Sequence, residues 1–477
     1  HRSPSRGLGD VYKRQNIHII LIEYPFNEIY KYLMADLYHP DIYKFEKPIN
    51  SYWETTADTK NQYNKLKEDI HTNILVIGGG YTGISCALSL SKKYNEEVVL
   101  VEAGHIGWGS SARNAGFCCI PPAKMSVSKM FKKYGKEETK KFFQNTIEGS
   151  NFTKDLISEY NIDCDLTGNC NYEVAPHPDY FQSIKKEADV YKKEFGIETE
   201  IYSQSEFNEI GHTGEEQFGA FSYKPGFAIN PLKFLLGLAK EAKKSGVKIY
   251  QKSKVSKIEK KNGKYNIIIN ENKITSNKIV MATNGFYRDD LFPKLNNRIL
   301  PVISNIIITK PLTNDQIMAH NFVTHNPILN NRNLLFYYRL LKDNRFLFGA
   351  RGDLVGSEES SLIKSKKMEQ QMKKVFPEWK SVEIDYHWRG LVAVTTKFTP
   401  SIGKLDDDEI YYSFGYQANG VNTAPWSGSK LANLIVSNSK ELNISKFYQG
   451  LPKKFPFPKL RLFYLKMYLA YHSLRDK

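Results

Sequence analysis

Cysteine is scarce in this chain, and its few occurrences have no spacing typical of a disulfide framework or a metal site. Among 477 residues there are five cysteines, with no C-x-x-C pair and no His/Cys cluster. They are Cys86, Cys118, Cys119, Cys164 and Cys170. An odd number without paired spacing favours a reducing compartment, so we expect a cytoplasmic protein with no metal site. We interpret Cys118 and Cys119 as small buried hydrophobic side chains, with a redox role as the alternative.

Long apolar runs are also missing. The apolar stretch at 17–22 is far shorter than the roughly 20 residues that span a bilayer. An acidic residue and Pro25 follow it instead of a cleavage site, so we expect no signal peptide here. Residues 1–15 lack periodicity and look like translated adapter sequence, and Met34 is a candidate start.

Charge of one sign is not concentrated in any stretch, although the net charge is +16. Lysines alternate with acids, as at 132–141 and 252–264, which indicates a solvated lysine-rich surface. Nucleic-acid binding on a dinucleotide-fold scaffold is the alternative for so basic a chain. We expect no nucleic-acid partner, because a basic stripe interleaved with aromatic residues is absent.

The strongest positive pattern is a glycine-rich turn between a predicted strand and a predicted helix. Ile74–Ile77 is a continuous apolar run, as in a strand buried on both faces of a parallel sheet. Gly78, Gly80 and Gly83 follow as G-x-G-x-x-G. These glycines permit a tight turn, close approach to a pyrophosphate, and tight packing of the next helix, predicted from about Gly83 to Tyr94.

A second apolar run, Val98–Val101, ends at Glu102, at the distance where a carboxylate can accept hydrogen bonds from a ribose. A lone glycine motif is weak evidence, and a loop without a ligand is the alternative. Here the strand, the turn, the helix and the acid occur in order, which favours a dinucleotide site. The spacing does not distinguish FAD from NAD.

The continuation at 103–116, AGHIGWGSSARNAG, distinguishes them by resemblance. With it, the chain resembles the D-amino-acid-oxidase-like superfamily of FAD-dependent oxidoreductases, and within it the gamma-glutamylputrescine-oxidoreductase-like branch. The resemblance implies FAD, with adenosine on Glu102 and flavin beyond the turn at 113–116. It also implies an α/β fold, with a Rossmann-like FAD domain and a substrate domain built on a mixed, largely antiparallel sheet.

The resemblance places FAD contacts at two further turns, 282–286 and 415–422. Where family members commonly have Gly–His in the second turn, this chain has Ala418–Asn419. For Val255, a plain core valine is the alternative. The implied FAD-binding residues are Gly78, Gly80, Tyr81, Thr82, Gly83, Glu102, Ala103, Ser111, Arg113, Asn114, Ala115, Gly116, Val255, Thr283, Asn284, Gly285, Gly415, Gly420, Val421 and Asn422.

Oxidation of a C–H bond next to an amine nitrogen is the implied reaction, with a small-molecule amine and oxygen as partners. A dehydrogenase that passes electrons to a quinone or a carrier is the alternative. The sequence identifies no catalytic acid or base. Candidates for the substrate pocket are Tyr337, Arg339, Arg351, Tyr416 and Asn419, and arginine is the residue type that grips a carboxylate bidentately. A surface strand charge is the alternative for Arg339, and a packed core pair is the favoured interpretation of His387 and Trp388.

Other segments are assigned by periodicity. Strands are predicted at 302–309, 334–340, 346–350 and 383–388, a strand pair at 165–176, and helices at 60–68, 126–160, 181–195, 231–244 and 429–436. The predicted domains are a non-native segment (1–15), an arm (16–69), an FAD domain (70–120, 226–290 and 389–440), a substrate domain (121–225 and 291–388) and a basic helical tail (441–477). We expect the tail to pack on the body or on a partner subunit, with peripheral membrane contact as the alternative.

Overall fold

The structure is a computed structural model that describes residues 37–57, 63–120, 125–437 and 442–476. The segment at 1–15, the stretch at 17–22 and Met34 lie outside the described residues. So does the beginning of the helix predicted at 60–68. The rest of that prediction is wrong, because residues 63–68 contain no helical turn and Asn64 forms a bridge with Tyr250.

Strands and helices are interspersed up to Lys244, and runs of several strands follow from there to Phe414. The strands are β1 (Ile70–Ile77), β2 (Val98–Val101), β3 (Phe117–Cys118), β4 (Asn171–Val174), β5 (Thr199–Tyr202), β6 (Ala220–Tyr223), β7 (Phe227–Ala228), β8 (Lys248–Tyr250), β9 (Val255–Lys261), β10 (Lys264–Ile269), β11 (Asn272–Met281), β12 (Leu300–Thr309), β13 (Ile328–Asn330), β14 (Tyr337–Leu340), β15 (Phe346–Arg351), β16 (Ile384–Val394), β17 (Ser401–Lys404) and β18 (Ile410–Phe414). The helices are α1 (Tyr52–Thr55), α2 (Tyr81–Tyr94), α3 (Val127–Tyr134), α4 (Lys136–Glu159), α5 (Pro178–Phe195), α6 (Gln204–Ile210), α7 (Pro231–Lys244), α8 (Asn314–Ala319), α9 (Glu358–Val375), α10 (Gly420–Ser437) and α11 (Arg461–Arg475).

The first sheet has a parallel centre in the order β18–β11–β1–β2–β8. Strand β17 and the β9–β10 hairpin are antiparallel additions. Ile74 and Val76 pack on the side of α2, α7 and α10, whereas Leu75 and Ile77 pack on the side of the hairpin. Burial on both faces explains why β1 appears in the sequence as a continuous apolar run.

The second sheet has the order β16–β12–β15–β14–β13–β4–β6–β5 and is antiparallel except where β13 meets β4. The fold class expected from the sequence, an α/β protein with a Rossmann-like sheet and a mixed, largely antiparallel second sheet, is confirmed. Strand β16 runs to Val394 and so crosses the predicted domain boundary at 388–389. The exact division into domains stays a prediction.

Three predicted segments are wrong in detail. The single strand at 334–340 is β14 alone, because residues 331–336 form a loop after β13. The strand pair at 165–176 is one strand, β4, since Asp165 and Gly168 have positive φ angles of 51° and 75°. Helix α10 begins at Gly420 rather than 429 and contains Pro425.

The N-terminal arm and the C-terminal tail both contact the body. In the arm, the Tyr38 hydroxyl donates to the Pro301 carbonyl at 2.7 Å and the Trp53 indole N–H donates to the Asn114 carbonyl at 3.0 Å. In the tail, the buried Arg461 donates to the Ile299 carbonyl at 2.6 Å. Within the four described ranges, no helix has the length and apolar character that crossing a membrane requires.

Candidate active site

The turn between β1 and α2 leaves no space for side chains at its glycines. Gly78 has φ of +112°, and a Cβ there would lie 2.7 Å from the Ala282 carbonyl oxygen. A Cβ on Gly83 would lie 1.9 Å from the Gly78 carbonyl oxygen, and one on Gly80 would lie 2.8 Å from Ser111 Oγ. Helix α2 therefore starts in direct contact with the turn. The Tyr81 N–H already donates to Ser111 Oγ at 3.0 Å, which leaves the N–H groups of Thr82 and Gly83 for an anionic ligand.

Glu102 lies at the end of β2 and closes this turn from the side. Its Oε2 accepts a hydrogen bond from the Gly79 N–H at 2.7 Å, and its Oε1 accepts one from the Gly104 N–H at 2.9 Å. Burial raises the pKa of this carboxyl, whereas the two N–H groups act in the opposite direction. Each oxygen retains acceptor capacity, so a ribose hydroxyl can still donate to it.

A cavity of about 380 Å³ lies where the two sheets face each other. From the first sheet and its turns, it is lined by Gly80, Tyr81, Thr82, Ser111, Arg113, Asn114, Ala115, Asn284, Gly420 and Val421, all of them predicted FAD-binding residues. The remaining predicted residues do not line it: Gly78, Gly83, Glu102, Ala103, Gly116, Val255, Thr283, Gly285, Gly415 and Asn422. Val255 is buried in the core beside the β9–β10 hairpin.

Arg113 lines the cavity, and one nitrogen of its guanidinium group is unpaired. Its Nε donates to the Trp108 carbonyl at 2.6 Å and its Nη1 donates to the Arg389 carbonyl at 3.1 Å. The buried Nη2 has no hydrogen-bond partner among the described residues. Burial lowers the pKa of Arg113 to about 9. A bound acceptor group at this position would satisfy a donor that the chain itself leaves unpaired.

The turn at 415–419 has an unusual backbone and leads directly into α10. Gly415, Gln417 and Ala418 have φ angles of 81°, 54° and 76°. The side-chain amide of Asn419 donates to the Cys119 carbonyl at 2.5 Å, whereas its buried Oδ1 has no partner among the described residues. The N-terminus of α10 therefore brings a second set of N–H groups to the cavity.

Tyr416 joins the two turns. Its hydroxyl lies 2.6 Å from Thr82 Oγ1 at the start of α2 and 2.7 Å from Ser413 Oγ in β18. Burial raises the pKa of Tyr416 to about 12. The ring lines the cavity, but the hydroxyl is already bonded on both sides, so its evident role is to hold the turns together.

On the second sheet, Tyr337 and Arg351 line the cavity and Arg339 does not. The Tyr337 hydroxyl lies 2.9 Å from Ser304 Oγ, and burial raises its pKa to about 12, so it is a neutral phenol at pH 7. Burial lowers the pKa of Arg351, and its guanidinium makes no hydrogen bond or ion pair within the described part of the chain. Arg351 is therefore available to a ligand carboxylate.

Arg339 is buried behind the lining, at 3% exposure, so it is not a surface strand charge. Its Nη2 donates to the Ile229 carbonyl at 2.8 Å. His387 and Trp388 also lie away from the cavity, and the Trp388 indole N–H donates to the Arg113 carbonyl at 2.9 Å. Burial lowers the pKa of His387 to about 4, which keeps this ring neutral.

All five cysteines are buried and free. Cys119 lines the cavity, and its thiol donates to Asn171 Oδ1 at 3.0 Å. Burial raises the pKa of the neighbouring Cys118 thiol to about 12, which disfavours a reactive thiolate.

Sequence reasoning missed a polar part of the lining. Glu173, Glu187, Tyr191, Tyr223 and Arg332 reach the cavity from β4, α5, β6 and the loop after β13. None of them belongs to a motif, and their position depends on how distant strands pair. The stretch at 218–230, FGAFSYKPGFAIN, is rich in turn-forming residues, and this is the one local signal near Tyr223.

Comparisons with known proteins agree with this geometry. The family model described as FAD dependent oxidoreductase (DAO) matches residues 73–434. The chain is 28% identical to gamma-glutamylputrescine oxidoreductase of Escherichia coli K12, over 90% of this chain and 98% of that protein. It is 29% identical to "Probable oxidoreductase OrdL" of Haemophilus influenzae, over 86% of this chain and 92% of that protein.

A solved structure supports the fold independently. Glycine oxidase from Geobacillus kaustophilus superposes with a TM-score of 0.65 at 16% identity, over 81% of this chain and the whole of that one. The crowded glycine turn and the unpaired Nη2 of Arg113 suit FAD, the cofactor of the matched family. The chain therefore belongs to the DAO family of FAD-dependent oxidoreductases.

Proposed function

We propose that this protein oxidises the carbon–nitrogen bond of a small amine or amino acid. The observation that carries the proposal is the unpaired guanidinium of Arg351 in the same cavity as the N-termini of α2 and α10. FAD bound along these turns supplies a hydride acceptor. The substrate then loses a hydride from carbon and a proton from nitrogen, and water hydrolyses the resulting imine to a carbonyl compound and free amine. The names of the relatives, which include an oxidoreductase of gamma-glutamylputrescine, support this substrate class.

We propose that FAD contacts the residues predicted from the sequence. The side chain of Glu102 would hold the ribose, and the N–H groups from Gly80 to Gly83 would face the diphosphate. The donors of Arg113 and of the start of α10 would face the flavin. The predicted domain boundaries remain part of the same proposal, with β16 shared between the two domains.

The chain's own residues would bind and orient the substrate rather than transfer protons. Arg351 would hold a carboxylate, and Tyr337 would pack beside it as a neutral phenol. Neither Tyr337, a neutral phenol, nor the guanidinium of Arg351 is a base at neutral pH, so the substrate amine has to bind in its neutral form or lose its proton on binding.

The direct test is bleaching of the bound flavin without oxygen. The panel comprises primary amines, polyamines, N-methyl amino acids and D-amino acids, with alcohols and hydroxy acids as non-amine donors. We expect rapid bleaching by at least one amine class. Bleaching by a non-amine donor alone would contradict the proposal.

A dehydrogenase that passes electrons to a membrane quinone is a second candidate. It is favoured by α11, which exposes Phe463, Met467 and Leu474 on the surface next to lysines. Hydrogen peroxide formation with an amine would support the oxidase. Reduction of a quinone in anionic vesicles, with little oxygen consumption, would support the dehydrogenase.

The five free cysteines support our proposal of a reducing, cytoplasmic compartment.

A further inference from the structure

One part of the cavity lining is acidic and phenolic. It is formed by Glu173 of β4, Tyr223 of β6, and Glu187 and Tyr191 of α5, and we call it the acidic corner. The Tyr191 hydroxyl donates to Glu187 Oε1 at 3.1 Å. Asn331 donates to Glu173 Oε2 at 3.4 Å and also hydrogen-bonds Glu187, so one amide links the two carboxylates.

Tyr223 provides an independent sign of a ligand. Tyr223 is 0% exposed and belongs to the cavity lining, and its hydroxyl has no hydrogen-bond partner in the described residues. A buried hydroxyl without a partner costs free energy that a bound polar group can recover. The oxygen can accept a hydrogen bond from a ligand donor at this point.

The charges around Tyr223 indicate which kind of donor fits. Glu187 makes no ion pair with the described residues, and burial raises its pKa. Arg332 lines the same cavity, but its guanidinium is engaged by both carboxylate oxygens of Glu216 and by the Asp476 carbonyl. The corner therefore offers acceptor oxygens, and the hydrogen bonds of the Arg332 guanidinium go to Glu216 and Asp476.

We propose that the acidic corner is a subsite for a second ammonium group of the substrate, held by Glu187, Glu173 and Tyr223. An ammonium group carries three N–H donors, which matches two carboxylates and one phenol oxygen. The protein would accordingly prefer diamines or polyamines to monoamines of the same length. This inference rests on the proposed amine oxidation and specifies its substrate class.

Calorimetry on the FAD-loaded protein without oxygen tests the subsite directly. We expect 1,4-diaminobutane to bind roughly tenfold to hundredfold more tightly than butylamine, as a charge-assisted hydrogen-bond set allows. Glu187→Gln should remove most of that preference, because 1,4-diaminobutane should lose more affinity than butylamine. Tyr223→Phe should reduce the preference by about threefold to tenfold.

Two controls separate this effect from general damage. Glu194→Gln, on the same helix, removes a surface carboxylate that pairs with Lys136 at 2.6 Å, and it should change neither affinity. Tyr223→Phe removes a hydroxyl that has no partner, so it should fold even if Glu187→Gln does not, and it then carries the test alone.

Equal binding of the two amines by the unmodified protein would overturn the inference. So would variants that weaken both amines by the same factor. If no amine bleaches the flavin but calorimetry still shows the preference, the proposed reaction fails and the subsite stands. If amines bleach the flavin without any preference for diamines, the subsite fails and the reaction stands.

Discussion

Gly83 shows how little space separates α2 from the turn that precedes it. A Cβ at this position would lie 1.9 Å from the Gly78 carbonyl oxygen, which is backbone and cannot rotate away. We expect Gly83→Ala to displace the start of α2 and to weaken FAD binding at least tenfold, since one misplaced phosphate contact costs about 1.5 kcal/mol or more. The measurement is the FAD affinity of the apoprotein by flavin fluorescence.

Gly109 offers the matched control for that substitution. It has a φ of −75°, and a Cβ there would have no atom within 4 Å. Gly109→Ala should keep the affinity of the unmodified protein. A Gly83→Ala protein with normal FAD affinity would show that α2 can shift away from the turn without disturbing the phosphate site.

Arg351 should distinguish substrates with a carboxylate from those without one. Arg351→Met keeps most of the bulk but removes the charge, so kcat/KM for amino acids should fall roughly tenfold to hundredfold. Values for plain amines should change little. The readout is the rate of anaerobic flavin reduction, with Arg288→Met, a surface arginine paired with Asp290, as the control. An equal loss for both substrate types would assign Arg351 a structural role.

The sequence could identify some of these residues and not others, for a physical reason. Gly78, Gly80 and Glu102 are set by local backbone geometry, which leaves a pattern in a short stretch of chain. Arg339 and Arg351 both lie on strands of one sheet, and no local pattern separates them. Their tertiary contacts separate them. The Ile229 carbonyl accepts a hydrogen bond from the Arg339 guanidinium, whereas the Arg351 guanidinium has no hydrogen-bond partner among the described residues.

At the level of elements, α10 shows how tertiary contacts replace a local rule. Pro425 has no N–H, so the Val421 carbonyl one turn earlier loses its usual helical partner. That carbonyl instead lies 3.3 Å from Thr153 Oγ1 of α4, whose single hydroxyl proton it shares with the Gly149 carbonyl at 3.0 Å. In the sequence alone, Pro425 indicates a helix boundary. The Thr153 hydroxyl that compensates for it is distant in the chain, so no local pattern shows it.

Removal of that hydroxyl should destabilise the protein. Thr153→Val keeps the shape and leaves the buried Val421 carbonyl without its side-chain donor, so the free energy of unfolding should fall by about 1 to 2 kcal/mol. Denaturant unfolding of the FAD-loaded protein measures the change. Thr153→Ser retains the hydroxyl and should recover most of the loss, whereas equal losses in both variants would point to packing of the methyl group.

The end of the tail helix holds the loop at 331–336, which contributes to the cavity wall. Asp476 accepts from the Asn333 N–H at 3.1 Å and from the Leu334 N–H at 2.7 Å. We expect Asp476→Ala to release this loop, raise KM for the amine chosen by the bleaching panel by about threefold, and speed proteolytic cleavage there. The exposed Asp155, changed to Ala, is the control, and unchanged cleavage in Asp476→Ala would show that the loop holds its position alone.

At the scale of the whole molecule, the first sheet was more predictable than the second. Parallel strands β1 and β2 are joined through a helix in one stretch, so their pairing follows from the local motif. In the second sheet, β4 pairs with β13 across more than 150 residues, and no motif records that register. The acidic corner is built at this pairing, which is why its residues could not be found from the sequence.

The tail helix is the feature through which the whole molecule would meet a membrane. Phe463, Met467, Tyr471 and Leu474 are 55–71% exposed and lie within one quadrant of α11. Arg461 and Leu465, on the opposite side, are buried against the body. The exposed Lys459 and Lys466 flank the apolar quadrant, so apolar contact and attraction to anionic lipid act on the same face.

We therefore expect the FAD-loaded protein to bind vesicles that contain anionic lipid, with weaker binding at higher salt. The triple variant Phe463→Ser, Met467→Ser and Leu474→Ser should weaken that binding at least tenfold, because each side chain loses apolar area that the bilayer would bury. Sedimentation with vesicles measures the fraction of protein that is bound. Val323→Ser removes an apolar side chain of 51% exposure elsewhere and should have no effect. If the triple variant instead binds vesicles normally and changes only the oligomeric state, α11 packs against a second copy of the chain and does not bind a lipid surface.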